Sequence, residues 1–157
     1  MSSQQQLVDA YLAGVQTLRH AVNGLSREQF LKRPVPGKWS TQEVVCHLSD
    51  SEQAWAHRMK RVIAEKRPFY IGYDECRFPA ALAYQEQDVE EELELFAQMR
   101  RQMARILRGL PAEAWSRDGV HSEMGLLTLE QMLRIESDHV PHHVQFILEK
   151  KRAMGLA

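Results

Sequence analysis

Two short stretches, Ser40-Thr41-Gln42-Glu43 and Thr128-Leu129-Glu130-Gln131, set the limits on what this chain can become. Each has the form of a capping box, in which a hydroxyl accepts from a backbone N–H three residues on and a Glu or Gln reaches back. Each is followed by side chains three and four apart, the spacing of one helix face. Behind the first run Val44, Leu48, Ser51, Trp55, Met59, Val62 and Ile63; behind the second run Met132, Ile135, Glu136, His139, His143 and Ile147. Pro68 stops the earlier helix at or before Arg67. Lys150, Lys151 and Arg152 suit the negative C-terminal end of the later one.

Two more stripes have the same period. Val8, Tyr11, Leu12, Val15, Leu18 and Val22 predict a helix over Gln4–Asn23, closed by Gly24. Asp88 caps a third long helix marked by Val89, Leu93, Phe96, Met103, Ile106, Leu107 and Leu110, and Gly109 and Pro111 close it. Leu25–Trp39 is a connection with one helical turn at 26–30. Pro111–Trp115 reads as another short turn, and Arg117–Leu127 as loop. The aromatic segment Lys66–Gln87, with Pro68, Gly72 and Pro79, is long for a connection in a compact domain and predicts a crossover. A weak repeat agrees: Leu25-Ser26-Arg27-Glu28-Gln29-Phe30 echoes Leu110-Pro111-Ala112-Glu113-Ala114-Trp115, and each echo leads into a capping box. Setting Ser40 on Thr128 pairs Asp50 with Asp138, Ser51 with His139 and Trp55 with His143. The expected fold is all-α: one domain over 1–157, a four-helix bundle running up-down-down-up, its second and third helices joined by the long crossover.

Bulk properties narrow the partners. Lys and Arg number 20 against 21 Asp and Glu, a net charge of −1, with no concentrated basic face to follow a phosphate backbone. No apolar run approaches the roughly 18 residues of a membrane span. Met-Ser-Ser-Gln-Gln-Gln lacks the regions of a signal peptide, and Cys46 and Cys76 are not spaced as a redox or zinc pair. A cytoplasmic protein acting on a small molecule, without nucleic acid or membrane, is the expectation.

His139 and His143 lie one helical turn apart and aim at a common point, the geometry of two-toothed metal ligation. His47 is the candidate third ligand. Taken alone, each histidine also reads as a hydrogen-bonded core residue. His142 points about 100° away from His143 and belongs beside the site or in solvent. His20, His57 and His121 have no partner at ligand spacing and read as surface or structural residues. Pro141 removes a backbone hydrogen bond between the two proposed ligands, so the helix either bends there to set their approach or splits and separates them. Asp50 and Glu136 are candidates to orient a ligand ring or act as a base, with solvated or core-edge carboxylate as the alternative. Cys46 reads as a small buried hydrophobe and Trp55 as core or pocket wall. Arg58, Arg61, Tyr70, Tyr73 and Arg77 are available to an anionic reactant or stand as surface groups.

At Gly37-Lys38-Trp39-Ser40, His47-Leu48-Ser49-Asp50-Ser51-Glu52 and His139-x-x-His142-His143-x-x-x-Ile147, the chain resembles the DinB/YfiT-like metalloenzyme superfamily. The resemblance covers essentially the whole chain. It departs at Phe146, where family members often carry Gln, here found one place earlier as Gln145. The resemblance implies that His47, His139 and His143 hold one divalent metal, zinc or nickel, and that the protein is a homodimer. It implies further a transferase using a low-molecular-weight thiol such as bacillithiol, mycothiol or glutathione. A metal-dependent hydrolase, or a non-catalytic bundle acting through partner binding, is the alternative. A site closed by a fourth side chain, Glu136 or Cys46, would mark a structural metal; an open fourth position would mark an enzyme.

Overall fold

In the computed structural model, which describes residues 3–156, both capping boxes close as their sequences demand. The helices are α1 (Ser3–Val22), α2 (Arg27–Leu31), α3 (Thr41–Ala64), α4 (Phe78–Ala81), α5 (Val89–Arg108) and α6 (Leu129–Ala153). Ser40 and Glu43 exchange hydrogen bonds at the start of α3, and Thr128 and Gln131 do so at the start of α6. Ser26 and Gln29 form a third box on the short α2. Asp88 accepts from the N–H groups of Glu90 and Glu91 to cap α5.

Polar side chains record the direction of each long helix. Arg19 pairs with Glu90 and Asp9 with Arg108, so α1 and α5 are antiparallel. Glu52 meets Arg100 at 2.8 Å and Lys60 meets Gln102 at 2.6 Å, so α3 and α5 are parallel. Arg100 bridges the carbonyls of Tyr11 and Glu136, and Lys151 reaches the carbonyl of Ala21, so α6 is parallel to α1. The order is therefore up-down-down-up. Parallel α3 and α5 cannot be joined by a tight turn, which is why the long segment between them must cross over. Exchanging the halves of the chain swaps α1 with α5 and α3 with α6, as the sequence echo requires.

The all-α bundle is as expected, and one connection differs from its reading. Residues 117–127, read as loop, hold strands β2 (Asp118–His121) and β3 (Gly125–Thr128), and β1 (Phe69–Tyr70) from the crossover pairs parallel with β2. Gly119 is required there, because a Cβ would stand 2.7 Å from the Tyr70 ring and 3.0 Å from the carbonyl of Pro68. Arg117 fastens the hairpin to the end of α3 by donating to the carbonyls of Val62 (2.8 Å) and Glu65 (2.6 Å). This small sheet covers one end of the bundle.

The core divides into two apolar halves, one around Met59, Met103, Leu107 and Met132, the other around Leu18, Leu48, Phe96 and Val140. Between them lies a charged waist. Arg100, fully buried, donates from Nε to Glu52 at 2.8 Å, from Nη1 to the Tyr11 carbonyl at 2.7 Å and from Nη2 to the Glu136 carbonyl at 2.8 Å. Its guanidinium also lies over the rings of Tyr11 and Phe96, while the Tyr11 hydroxyl donates to Glu52. Gly14 leaves room for this: a Cβ there would run into Nη1 of Arg100. Three of the four long helices are thus locked to α5 one turn before His139, and the relative height of α3 and α6 is fixed.

Candidate metal centre

α3 contributes His47 two turns after its cap, and α6 contributes His139 and His143 one turn apart. One ring nitrogen from each lies within 4.8 Å of the other two. Nε2 of His47 stands 3.2 Å from Nε2 of His139, and the His47–His143 and His139–His143 ring centroids are each 4.6 Å apart. Tetrahedral ligation with bonds of 2.0–2.1 Å puts nitrogens about 3.3 Å from one another, so the spacing suits a divalent ion. Pro141 does not separate the ligands, since α6 continues through it to Ala153 and both rings stay on one side.

The electrostatics agree with ligation. Burial is the main cause that drives His47 down to about 4 and His139 and His143 down to about 3, with the neighbouring rings adding to the effect on the α6 pair. All three are neutral at pH 7 and keep a lone pair available, as a ligand must. Nδ1 of His139 and Nδ1 of His143 are sealed from solvent with no hydrogen-bond partner among the described residues. The first faces Oε1 of Glu136, itself without a partner, at 3.8 Å. That distance is too long for a hydrogen bond, so Glu136 lies next to the ring without holding it. Burial first, and then the adjacent Glu52 charge, raise Glu136 well above the ordinary carboxyl value.

Asp50 is placed differently. Its Oδ2 accepts from the Tyr84 hydroxyl and its Oδ1 from Gln53, so it acts on His47 only through its field, while Tyr84 ties the crossover to α3. Cys46 points its thiol at the carbonyl of Tyr84, and burial pushes it up to about 12. His142 is exposed and touches His143 and Phe146 edge-on. Gln145 is exposed too. Arg61 bonds Glu65 and the Phe69 carbonyl at the surface, Arg77 pairs with Asp74, and Tyr70 is buried with its hydroxyl toward Met132.

Two cavities open beside the cluster. One of about 250 Å³ reaches His143 past Trp39, Phe146 and Lys150. The other, of about 180 Å³, reaches His139 past Trp55, Arg58, Tyr73 and His121. His121, read from sequence as unconnected to the site, is buried and stacked on Trp55 with ring centroids 6.0 Å apart and planes at 11°. No local sequence signal marked it: the alternation of half-buried and buried residues from Asp118 to His121 is seen only in the folded chain.

Comparison with known proteins follows this geometry. The family model of the DinB superfamily matches residues 10–147. A protein of Bacillus subtilis with the name "Putative metal-dependent hydrolase YfiT" is 28% identical over 139 residues, 88% of this chain and 78% of that one. Protein OB0782 of Oceanobacillus iheyensis, named in the same way, is 28% identical over 130 residues, 83% of this chain and 75% of that one. The structure of YfiT, described as an unusual four-helix bundle topology, superposes with a TM-score of 0.91 at 25% identity, covering 100% of this chain and 91% of the other. A mycothiol-dependent maleylpyruvate isomerase shares the fold, with a TM-score of 0.74 at 12% identity over 92% of this chain and 60% of that one. With this bundle and a family match from Ala10 to Ile147 that spans all three histidines, the chain belongs to the DinB superfamily.

Proposed function

We propose that this protein is a metal-dependent enzyme that joins a low-molecular-weight thiol to an electrophilic small molecule at His47, His139 and His143. The observation that carries the reading is three neutral imidazoles converging without a fourth protein ligand. Among the described residues the cluster consists of those three, with Cys46 turned to Tyr84 and Glu136 behind His139. A divalent ion held there, zinc or nickel by its imidazole donors, supplies Lewis acidity that draws the proton from a thiol or water near neutral pH.

The residues of the chain do the rest. His47 is held between the Trp39 ring and the α6 pair, and Glu136 lies 3.8 Å from Nδ1 of His139. The cavities beside His139 and His143 offer room for two reactants, which transfer needs and hydrolysis does not. In the transfer, the thiol gives its proton to solvent, the sulfur lone pair forms the new C–S bond, and the leaving group departs with its bonding pair. A cytoplasmic address, where such thiols stay reduced, completes the reading. Within the described residues no helix is long and apolar enough to cross a membrane. The homodimer expected from sequence is part of this proposal and is tested by sedimentation equilibrium.

A hydrolase is the second reading, favoured by the names of the Bacillus and Oceanobacillus relatives. Bacillithiol, mycothiol and glutathione, each with 1-chloro-2,4-dinitrobenzene, and p-nitrophenyl acetate without thiol, separate the two. Conjugation that requires the metal and is lost in His143→Ala supports transfer. Metal-dependent ester hydrolysis with no conjugation overturns it in favour of hydrolysis.

A further inference from the structure

Among the described residues Arg58 is the second buried guanidinium, 7% exposed, and its surroundings differ from those of Arg100. Arg100 has a carboxylate and two carbonyls as acceptors. Arg58 lies against three rings, with its guanidinium carbon 5.1 Å from the centre of Trp55 and 5.6 Å from those of Tyr70 and Tyr73. Only Nη2 donates to the protein, to the carbonyl of Ile71 at 2.9 Å. Among the described residues no carboxylate pairs with Arg58, and its other N–H groups are not sealed. Aromatic faces attract a cation but offer it no counter-charge, so a buried guanidinium without an anion is an incomplete arrangement.

The same cavity holds a second unpaired donor. Nδ1 of His121 accepts from the backbone N–H groups of Glu123 (3.1 Å) and Met124 (3.3 Å). In the neutral ring the proton therefore sits on Nε2, which has no protein acceptor among the described residues. Arg58 and His121 line one wall with Trp55, and His139 stands in the same cavity. Three carboxyl groups border this space. Glu75 and Glu123 are exposed and screened by water; Glu136 is buried, lies within Coulombic reach of Arg58, and has its ion-pair partner in Arg100 at 3.7 Å.

We infer that this cavity binds the carboxylate of a small reactant, held by the guanidinium of Arg58 and the Nε2–H of His121, with an apolar body against Trp55 and Ile135. The planar fork of Arg58 suits a carboxylate, and one guanidinium with one ring N–H, beside the buried carboxyl of Glu136, leaves no donors for a second negative charge. The reactant is thus a monoanion with an apolar or aromatic remainder. Its size is bounded by the cavity of about 180 Å³, against the roughly 150 Å³ that accommodates benzene. That its reactive end faces His139 rests on the proposed function; the carboxylate site itself does not.

Phenylacetate and its uncharged counterpart phenylacetamide are titrated into full-length protein as purified, and again after chelator treatment, following the Trp55 indole and Arg58 Nε–H signals by NMR. Phenylacetate is expected to move both signals and to bind about tenfold or more tighter than the amide, the usual scale for a charge-assisted hydrogen bond. Arg58→Met removes the preference and Arg58→Lys retains part of it, with circular dichroism reporting that each variant folds. Equal binding of acid and amide by the wild type, or no movement of either signal, overturns the inference without needing a variant. Wild type that takes up Zn²⁺ yet ignores phenylacetate removes this inference and leaves the metal reading. Protein that binds phenylacetate through Arg58 but takes up no Zn²⁺ does the reverse.

Discussion

Replacing Arg100 with Met tests whether the charged waist holds the bundle in register. The substitution keeps an unbranched apolar stem and removes three donated hydrogen bonds, to Glu52, to Tyr11 O and to Glu136 O. Both carbonyls lie inside helices and keep their own i→i+4 partners, so their loss is small. Glu52 is different, since it is fully buried and would retain only the Tyr11 hydroxyl and Glu136 around it. Stranding one partner of a buried ion pair costs about 3–5 kcal/mol, a large part of the roughly 5–15 kcal/mol that stabilises a domain. Urea unfolding at pH 7, followed by circular dichroism and tryptophan fluorescence, reads this directly as a lower midpoint at unchanged slope. Adding Glu52→Gln removes the stranded charge and should return more than about 1 kcal/mol, the non-additivity expected of contacting residues. A cost below about 1 kcal/mol for Arg100→Met, or no recovery in the double variant, would refute this account of the waist.

Other consequences follow from the same contacts. Gly14→Ala adds a methyl group where Arg100 already lies, so it should destabilise by about 1–3 kcal/mol although alanine is the better helix former; a raised urea midpoint would contradict this. At the cap of α3, burial raises Glu43, but hydrogen bonds from Arg33 (2.9 and 2.5 Å) and the backbone of Ser40 outweigh it and leave Glu43 below its ordinary 4.5. Its charge therefore stabilises the fold above that pH, and the contribution is lost as pH falls through the depressed folded value. Glu43→Gln keeps a capping acceptor without the charge, so the wild-type advantage in urea should shrink below about pH 4.5; an advantage that stays constant from pH 7 to 3 would exclude the ion pair as its source.

The long helices were legible because their signals are local. Ser40, Thr128 and Asp88 announce the starts, and stripes such as Val8–Tyr11–Val15–Leu18 announce the buried faces within a few turns. The grouping of His139 with His143 is a property of one helix for the same reason, whereas bringing His47 to them depends on the height of α3 against α6. Arg100 fixes that height, and its role was partly readable. It falls on the inward stripe of Leu93, Phe96, Met103 and Leu107, as Glu52 falls between Leu48 and Trp55. A charged residue on such a stripe points to a buried pair rather than a solvated surface. The hairpin bearing His121 was not legible. Its strands are four residues each, too short for a period to emerge, and β1 joins them through pairing of Phe69 with Val120, which is remote in sequence. Arg58 and Tyr73 stood beside Arg61 and Arg77 as equivalent candidates; only packing against Trp55 separates the buried guanidinium from the surface ones.

Elemental analysis of the purified protein, before and after incubation with Zn²⁺ or Ni²⁺ and removal of excess, bears most directly on the three-histidine centre. The geometry predicts about one divalent ion per chain in the wild type and loss of that ion in His143→Ala and in His47→Ala, with the helical circular dichroism of both variants retained. Wild-type protein that remains metal-free after incubation, or variants that keep the ion at full stoichiometry, would contradict it.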